Sequence, residues 1–578
     1  KAVKTGAAGV VAYNAEGSTV AGCYNAGTVL TGQSVAGGVV GANFGTVDCC
    51  QNDGVVGAAV LTSFESDSTK LENVGGVIGL NNAIVTNSLN QGYVSGGNSV
   101  GGVIGYNNYR TTNKQLLSTG VVYSRAFAQS AGVTLFFGAL FVTTFYDKYE
   151  KLSVREMYLT TSLVWLLVCC FSALPFYFSP VPLDYTDAFF EAMSGLTTMG
   201  ATVIGDLSTQ PRGILLWRAM LQWFGGVGII VIALGILPLL RIGGMQLYAT
   251  ESSDKSDKSL PKTSQIIAMI MGIYTVLTVL CALCLYVSEL GWFEALTYSM
   301  ATVPTGGFAP RNSSAMELSA ATQWIMTFFM FVCGMPLLVS YFVVKKNWAH
   351  LRNDLQIRSY IYFSVVCTLI LTVYLIVARN VPLTDSLRYA AFSFVSIVTS
   401  SGFLNSDIES WGTFAVMFFT LLLPIGACSG STSGGIKIFR FDIMYLASMQ
   451  YLRRKILPHG IFIAKYNGKP LTEEISSGVF VFMVIFLLCF LVSVLALSLT
   501  GADFTTSISA SLSGLGNTGV AFGSVVGSSG SFANLTNTGK WIIATDMMLG
   551  RLEYMTVFVL LLPLAWRKEK KSVSSTAF

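Results

Sequence analysis

The sequence predicts a polytopic all-α membrane protein of four pseudo-repeats, each a helix, a re-entrant loop and a second helix, preceded by a β-solenoid-like repeat module. Three observations predict this fold. Charged residues make up 11% of the 578 residues and hydrophobic residues 52%, whereas a soluble globular chain carries roughly 25% charge. Nine apolar runs after residue 131 come close to the length that crosses a bilayer. A Gly/Asn/Val motif recurs four times in the first 120 residues.

The residues that carry most enzyme chemistry are scarce. There are two histidines, His350 and His459, and eleven cysteines, none in a C-x-x-C pair with matching histidines. Cys281 and Cys284 have redox spacing, but they lie inside an apolar run, where we interpret them as small apolar residues. The net charge of +5 comes without a basic stripe interleaved with aromatics. We therefore predict neither an enzyme nor a nucleic-acid-binding protein.

The first 120 residues contain four copies of an Ala/Gly-Gly-Val-Val/Ile-Ala/Gly-x-Asn motif. The second position of each copy is Gly9, Gly38, Gly76 or Gly102. Alternating Val or Ile with Gly and Asn at the corners predicts short strands and tight turns, stacked as a β-solenoid. Over residues 7–110 the pattern resembles the GLUG repeats of bacterial surface and adhesin-like proteins, which implies an extracellular module. A ligand-binding module and a plain spacer both stay open.

The three cysteines of this module, Cys23, Cys49 and Cys50, form a disulfide only if the module lies outside the cell. Vicinal cysteines rarely bridge each other. Their pairing is left open.

The apolar runs define nine predicted spans. They cover residues 131–147, 157–179, 213–240, 264–289, 320–344, 359–379, 411–438, 476–500 and 540–565. Lys and Arg cluster in every second connection, as in 148–155, 255–262, 345–358, 440–469 and 567–571. By the positive-inside rule these connections are cytoplasmic.

The other connections each contain a segment that is too short or too Gly-rich to span. Each starts with an acidic or Trp-bearing half-helix and ends in a three-residue segment, which we call a Gly triplet. The four Gly triplets are Thr198-Met199-Gly200, Thr305-Gly306-Gly307, Ser400-Ser401-Gly402 and Asn517-Thr518-Gly519. A single such segment would be read as a Gly-rich extracellular turn. Four of them, in register with the topology, favour re-entrant loops.

Non-helical backbone survives at membrane depth only if it lines water or is buried in protein. Four such loops around one axis would aim backbone carbonyls inward, and Gly permits the φ values that this requires. Half-helices that end at the loops would point their negative dipole ends at the centre. The loops therefore predict one ion pore for a monovalent cation.

Residues 131–571 resemble the membrane subunit of the Trk/Ktr/HKT superfamily of potassium transporters, closest to the TrkH branch. Besides the Gly triplets, the resemblance rests on residues 222–228, 242–248, 429–437 and 550–553. It implies potassium uptake, with K⁺ held by the carbonyls of the Gly triplets as a selectivity filter and no cofactor. In relatives that conduct mainly Na⁺ a Ser often replaces the first-repeat glycine, so Gly200 favours K⁺. Met199 and Gly306 depart from the usual polar residues, which affects only the expected affinity.

The resemblance also implies partners and a gate. The partners are a second copy of the chain and a cytosolic nucleotide-binding RCK/KTN ring. The predicted gate is the stretch of small residues in repeat 3, where Gly weakens helix formation by up to about 1 kcal/mol per residue, together with one intramembrane arginine. Its residues are Gly426, Ser429, Gly430, Ser431, Gly434, Gly435, Lys437 and Arg551.

Arg551 lies too deep to reach water easily, and an intramembrane Arg is functional by default. We expect it to lie below the filter, to repel cations, and to contact Glu553, Asp546 or the loop carbonyls. For Lys437 the alternative is a side chain that snorkels to the cytoplasm.

The predicted domains are 1–120 (extracellular repeats), 121–156 (an extra transmembrane helix and cytoplasmic loop), 157–250, 251–358, 359–470 and 471–571 (pore repeats 1 to 4) and 572–578 (a cytoplasmic tail). The expected location is the plasma membrane, with a further helix upstream of Lys1 and the repeat module outside. Coupling to Na⁺ or H⁺ and a weakly selective cation channel stay open as alternatives, because no second buried carboxylate chain is visible along the spans. A surface adhesin with a membrane anchor is the alternative from another class, but an anchor needs only one span.

Overall fold

A computed structural model describes residues 7–15, 18–31, 35–44, 46–54, 56–58, 73–75, 77–81, 85–86, 88–90, 100–101, 104–107, 114–145, 154–179, 183–207, 210–235, 263–337, 339, 352–527 and 531–561. The chain divides into two compact units, Lys1–Val121 and Val122–Phe578. The predicted motif at 242–248 and the tail at 572–578 lie outside the described residues.

The first unit consists of short strands that pair in parallel. They are β1 (Ala7–Ala8), β2 (Val11–Asn14), β3 (Thr19–Ala21), β4 (Tyr24–Asn25), β5 (Val29–Thr31), β6 (Val35–Gly37), β7 (Val40–Asn43), β8 (Thr46–Asp48), β9 (Gln51–Asn52), β10 (Val56–Ala58), β11 (Asn73–Gly75), β12 (Ile78–Asn81), β13 (Val85–Thr86), β14 (Leu89–Asn90), β15 (Val100–Gly101) and β16 (Ile104–Asn107). The sheet orders are β1-β6-β11-β15, β2-β7-β12-β16, β3-β8-β13, β4-β9-β14 and β5-β10. Equivalent motif positions face each other, as when Val40 pairs with Val11 and with Ile78.

Two kinds of side chain stack inside this unit. Val and Ile form a core that includes Val39, Val47 and Ile78. The motif asparagines stack as well, since Asn14 Nδ2 donates to Asn43 Oδ1 at 2.7 Å. Burying a polar amide is tolerated only when it is hydrogen-bonded. The Asn of one repeat therefore supplies the partner that the Asn of the next repeat needs.

The second unit is helical. Its helices are α1 (Lys114–Phe145, which starts in the first unit), α2 (Val154–Ser172), α3 (Leu174–Tyr177), α4 (Tyr185–Leu196), α5 (Arg212–Gly235), α6 (Thr263–Val287), α7 (Trp292–Thr302), α8 (Ala320–Cys333), α9 (Leu355–Arg379), α10 (Leu383–Val398), α11 (Thr413–Leu422), α12 (Ile438–Ile456), α13 (Glu473–Leu499), α14 (Phe504–Gly516), α15 (Asn537–Arg551) and α16 (Met555–Leu561). The second unit also contains two pairs of two-residue strands. One is the parallel pair β17 (Ile425–Gly426) and β18 (Ile436–Lys437), and the other is the antiparallel pair β19 (Lys465–Tyr466) and β20 (Lys469–Pro470).

Five helical segments of the described chain are long and apolar enough to cross a membrane. They are Ala126–Thr144, Glu156–Tyr177, Ile267–Val287, Leu355–Arg379 and Glu473–Leu499. Their outward faces are apolar, with Leu135, Val377 and Leu495 among the exposed side chains. A multi-pass membrane protein needs such faces against lipid.

Four of the predicted runs are not single helices, which corrects the sequence-based prediction. The run 157–179 is divided at Ala173 into α2 and α3. In the run 320–344 the helix stops at Cys333, just before Gly334 and Pro336. In the run 411–438 the α-helix Thr413–Leu422 ends early and the next one begins only at Ile438, because the Gly and Ser residues between them disfavour helix. The run 540–565 breaks between α15 and α16, where Glu553 and Tyr554 have φ of 60° and 48°.

Four short helices, α4, α7, α10 and α14, precede the Gly triplets. They have 12, 11, 16 and 13 residues, and at 1.5 Å per residue none of them spans a bilayer. Asp187, Glu294 and Asp385 lie in the first turns of α4, α7 and α10, where a negative charge favours the helix dipole. Each short helix ends at a Gly triplet, so its negative dipole end lies there.

Candidate functional site

The four Gly triplets share one backbone conformation although their residue types differ. The first residues, Thr198, Thr305, Ser400 and Asn517, have φ of 53°, 55°, 52° and 53°. The last residues, Gly200, Gly307, Gly402 and Gly519, have φ of 87°, 81°, 73° and 82°. Both positions are left-handed, a region that glycine occupies freely and that Thr or Ser rarely enters.

A second shared feature is the hydrogen bond that closes each short helix. The N–H of the middle residue donates to the carbonyl five residues earlier, as in a Schellman cap. These bonds run from Met199 to Ser194 (2.9 Å), Gly306 to Ala301 (2.8 Å), Ser401 to Ser396 (2.7 Å) and Thr518 to Ser513 (3.0 Å). Each Gly triplet is therefore the carboxyl-terminal cap of its helix.

The Gly triplets meet in a closed cycle, which we call the ring. A Cβ added to Gly200 would approach the carbonyl oxygen of Gly306 closer than 3.0 Å. The same close approach joins Gly307 to Ser401, Gly402 to Thr518 and Gly519 to Met199. The terminal glycine of each triplet thus abuts the middle residue of the next, and the fourth returns to the first. The structure brings all twelve predicted filter residues together. Ten of them are buried, and Gly200 and Gly402 are partly exposed.

The carbonyls of the middle residues differ in one respect. Among the described residues, the carbonyls of Met199, Ser401 and Thr518 receive no hydrogen bond, whereas that of Gly306 accepts one from Gln222 Nε2 at 2.5 Å. Buried backbone carbonyls in proteins are almost always satisfied. Three carbonyls of the ring are therefore available to a cation that binds oxygen ligands.

No group of three or more His, Cys, Asp or Glu side chains in the described part of the chain could hold a metal ion. The oxygen atoms that the ring offers are backbone carbonyls instead. Such ligands suit a desolvated monovalent cation.

A buried ion pair, which the sequence analysis did not predict, lies next to the ring and holds the segments that follow two of its triplets. Arg218 Nε donates to Glu191 Oε1 at 2.6 Å, and the side chains are 2% and 0% exposed. Glu191 also accepts hydrogen bonds from Thr202 Oγ1 (3.0 Å) and Val203 N–H (3.0 Å). Arg218 Nη1 donates to the carbonyl of Ala309 at 3.0 Å. The pair therefore ties the chain after the first Gly triplet to the chain after the second.

The stretch of small residues at 424–437 packs directly on the ring of Gly triplets; we call it the Gly/Ser loop. Its Gly434 N–H donates to Ser400 Oγ at 2.5 Å. Its Thr432 hydroxyl lies 3.1 Å from that of Thr305. Thr518 Oγ1 donates to the carbonyl of Leu423, just before the loop, at 3.1 Å. The loop and its entrance thus contact the second, third and fourth Gly triplets.

Arg551 lies against this loop. It is 3% exposed, and its Nη1 donates to the carbonyl of Thr432 at 3.2 Å while Nη2 donates to that of Gly225 at 3.4 Å. Of the expected partners, the loop carbonyl is the one that it contacts. The Gly225 contact was not predicted, because Gly225 lies in α5, 326 positions away in the chain.

The two carboxylates expected near Arg551 have other partners. Glu553 forms an ion pair with Arg440, and Asp546 accepts a hydrogen bond from Ser493. Asp546 is 5% exposed, and it is a buried carboxylate that the sequence prediction mentioned only as a partner of Arg551.

Lys437 is buried and does not reach water. Its ammonium donates to the carbonyl of Ser433 and lies 3.2 Å from Ser433 Oγ. The snorkelling alternative is therefore wrong for this conformation. The remaining predicted gate residues, Gly426, Ser429, Gly430, Ser431, Gly434 and Gly435, lie along the same loop.

The amino-terminal end of α14 carries a carboxylate that stays charged. Asp503 accepts a hydrogen bond from Thr506 N–H at 3.2 Å and one from Ser524 Oγ at 2.9 Å. Burial raises the pKa of Asp503, but the hydrogen bonds from Thr506 and Ser524 lower it by more, so the net pKa is below its ordinary value. An anion at this end of the helix favours its dipole.

The chain is similar to known proteins over most of its length. The family model of TrkH, described as a cation transport protein, matches residues 123–566. The Trk system potassium uptake protein TrkI of Halomonas elongata is 36% identical over 415 residues, which cover 72% of this chain and 84% of that protein. TrkH of Salmonella typhimurium is 35% identical over 453 residues, or 77% of this chain and 92% of the relative.

A solved structure has the same fold. The crystal structure of the potassium transporter TrkH from Vibrio parahaemolyticus superimposes with a TM-score of 0.70 at 29% identity. The match covers 78% of this chain and 96% of the other.

Proposed function

The chain belongs to the TrkH family of cation transport proteins, and we propose that it takes up potassium ions across the cell membrane through the ring of Gly triplets. It is a multi-pass membrane protein by its apolar helices and its family. The relatives named above are potassium uptake proteins. The ion is the transported substrate, and no cofactor enters the proposal.

One observation carries the proposal: the four Gly triplets form a closed cycle in which three buried carbonyls have no donor from the described chain. A cation that sheds its water needs replacement oxygens, and carbonyl rings supply them. The four short helices add to this, because their carboxyl ends lie at the triplets and their dipoles favour positive charge. In this proposal the triplets act as the selectivity filter.

The gate in this proposal is the Gly/Ser loop together with Arg551. The loop and Leu423 just before it contact three Gly triplets. The guanidinium of Arg551 is hydrogen-bonded to the loop carbonyl of Thr432. A fixed positive charge beside the cation path opposes entry. Movement of the loop would therefore have to shift this arginine as well.

The proposal extends to assembly and orientation. A homodimer, a cytosolic RCK/KTN ring, a cytoplasmic carboxyl terminus and an extracellular repeat module are supported by membership of the family and by the positions of Lys and Arg. Coupling of uptake to Na⁺ or H⁺ is the alternative mechanism.

The test is uptake of radiolabelled Rb⁺ into liposomes that contain the purified full chain, with K⁺ or Na⁺ as competitor. We expect K⁺ to block uptake and Na⁺ to do so only at far higher concentration. In Gly200→Ser the new Cβ meets the Gly306 carbonyl at a φ of 87°, and backbone strain of this kind costs about 1–3 kcal/mol. Selectivity should fall by about tenfold, since 1.4 kcal/mol is a factor of ten.

Gly205→Ser is the matched control, because a Cβ on Gly205 meets nothing within 4 Å. It should behave like the wild type. Two outcomes would contradict the proposal. One is equal competition by Na⁺ and K⁺ in the wild type, and the other is no uptake when the RCK/KTN partner protein is present.

A further inference from the structure

The second Gly triplet is the exception among the four. Met199, Ser401 and Thr518 carry side chains at the middle position, whereas Gly306 has none. A Cβ added to Gly306 would meet Cδ, Oε1 and Nε2 of Gln222 at 2.5, 2.7 and 2.8 Å. The space behind the second triplet is therefore filled by a side chain from α5, which belongs to the first repeat.

Gln222 does more than fill this space, because it hydrogen-bonds to the backbone on both sides of Gly307, the last residue of the triplet. Its Nε2 donates to the Gly306 carbonyl at 2.5 Å. Its Oε1 accepts from the Phe308 N–H at 3.0 Å. The side chain is completely buried, so water does not compete for either bond. One amide therefore fixes the direction of a carbonyl and of an N–H two residues further along.

The donor to Gly306 makes the ring electrostatically uneven. A hydrogen bond draws electron density from a carbonyl, so Gly306 is a weaker cation ligand than Met199, Ser401 and Thr518, which have no donor in the described chain. The choice between K⁺ and Na⁺ depends on the number and field strength of the coordinating carbonyls and on how far they can move. At one of the four positions, Gln222 affects both the field strength of the carbonyl and its freedom to move.

We propose that Gln222 is a selectivity-determining positioning residue, which serves as the side chain of the second Gly triplet and sets the strength and direction of its carbonyl. This inference rests on the proposed function of the ring as a potassium filter. It also explains why Gly stands at position 306, since any larger residue would displace Gln222.

The test compares Gln222→Ala, Gly306→Ser and the double variant Q222A/G306S in the full chain, reconstituted in liposomes. The readout is the ratio of the Na⁺ to the K⁺ concentration that halves Rb⁺ uptake. Each single variant should lower this ratio about tenfold, since two buried hydrogen bonds are lost or broken. In the double variant the introduced serine has room and resembles Ser401 of the third triplet, so the ratio should recover toward the wild type.

A merely structural role would act differently. It would reduce uptake and thermal stability without changing the ratio, and the effects of the single variants would add. Gln222→Met, which keeps the length and removes both hydrogen bonds, replaces Gly306→Ser if that variant does not fold. It should also lower the ratio.

Gln323→Ala is the matched control. Gln323 is also buried, and its Nε2 donates to the carbonyls of Ala315 and Leu318 at 3.0 Å each, outside the Gly triplets. Its ratio should stay at the wild-type value. If the wild type is K⁺-selective and the ratio is unchanged in Gln222→Ala, this inference is wrong but the proposed function stands. The same holds if the ratio in the double variant is lower than in both single variants. A wild type without K⁺ selectivity would overturn the proposed function and this inference together.

Discussion

Three of the four residues that open the Gly triplets are types that rarely adopt positive φ. Asn517 tolerates the left-handed region, but Thr198, Thr305 and Ser400 do so at a cost. Such strain persists only where the surrounding structure imposes it, and it concentrates at functional sites. Here the helix-capping hydrogen bonds and the contacts of the ring impose it. The positive φ of the terminal glycines could be predicted from the sequence. The positive φ of the residues that open the triplets could not.

The buried pair of Glu191 and Arg218 leads to a prediction about stability. Glu191→Ala leaves the Arg218 charge buried without its partner, and breaking a buried pair in this way costs about 3–5 kcal/mol. The double variant E191A/R218M carries no unpaired charge and should lose less than the single variant. The measurement is the free energy of unfolding in detergent. Equal losses in the two variants would show that the pair contributes packing rather than charge neutralisation.

Arg551 leads to a prediction about flux. Arg551→Gln removes a positive charge beside the Gly/Ser loop, so Rb⁺ uptake should rise by about tenfold. This is the lower end of the range over which a local potential changes the concentration of nearby ions. Arg311→Gln is the control, because Arg311 pairs with Glu294 at the surface and is 37% exposed. It should not alter uptake. Reduced uptake in Arg551→Gln would mean that the guanidinium holds the conducting conformation instead.

At the scale of elements, hydropathy located the helices better than it located their ends. The run 359–379 corresponds to the single helix Leu355–Arg379, which ends at Asn380 in the left-handed conformation. The run 411–438 does not correspond to one helix, because Val, Ile and Leu near a Gly/Ser segment keep the mean hydropathy high while the backbone leaves the helix. Hydropathy measures transfer to lipid, whereas helix ends depend on capping and propensity.

The register of the short strands predicts a cross-link. Ala21 pairs with Asp48 and Tyr24 with Gln51. Cys23 and Cys50 directly precede β4 and β9, so this register places them side by side in stacked turns, where neighbouring strands are about 4.8 Å apart. This separation lies within the Cα distances of about 4.4–6.8 Å that disulfides span. Mild oxidation of the full chain by a small-molecule disulfide should therefore join Cys23 to Cys50, as peptide mapping without reductant would show.

Cys49→Ser is the control for this cross-link, since the register pairs Cys23 with Cys50 and not with the exposed Cys49. It should leave the product unchanged, whereas Cys50→Ser should abolish it. A product that joins Cys23 to Cys49 would mean that the register is shifted by one residue.

At the scale of the whole molecule, the two compact units have separate cores, one of stacked Val, Ile and Asn and one of packed helices. Asn43→Ala removes the acceptor of the Asn14 amide, and an unsatisfied buried polar group costs about 1–3 kcal/mol. We expect the unfolding transition of the strands, followed by circular dichroism, to move to lower temperature. Rb⁺ uptake should stay unchanged. A parallel loss of uptake would show that the helical unit depends on the repeats.

The sequence by itself determined the class of this protein and its family. Membrane insertion and repetition are encoded residue by residue, in the transfer free energy of apolar side chains and in motifs such as the Gly triplets. Membership of the TrkH family, expected from those motifs, is confirmed. Only the tertiary structure decided which side chains support the ring. Gln222 meets Gly306 across 84 positions, and Arg551 meets Thr432 across 119. Such pairs depend on how distant segments fold against each other, and no local pattern records that.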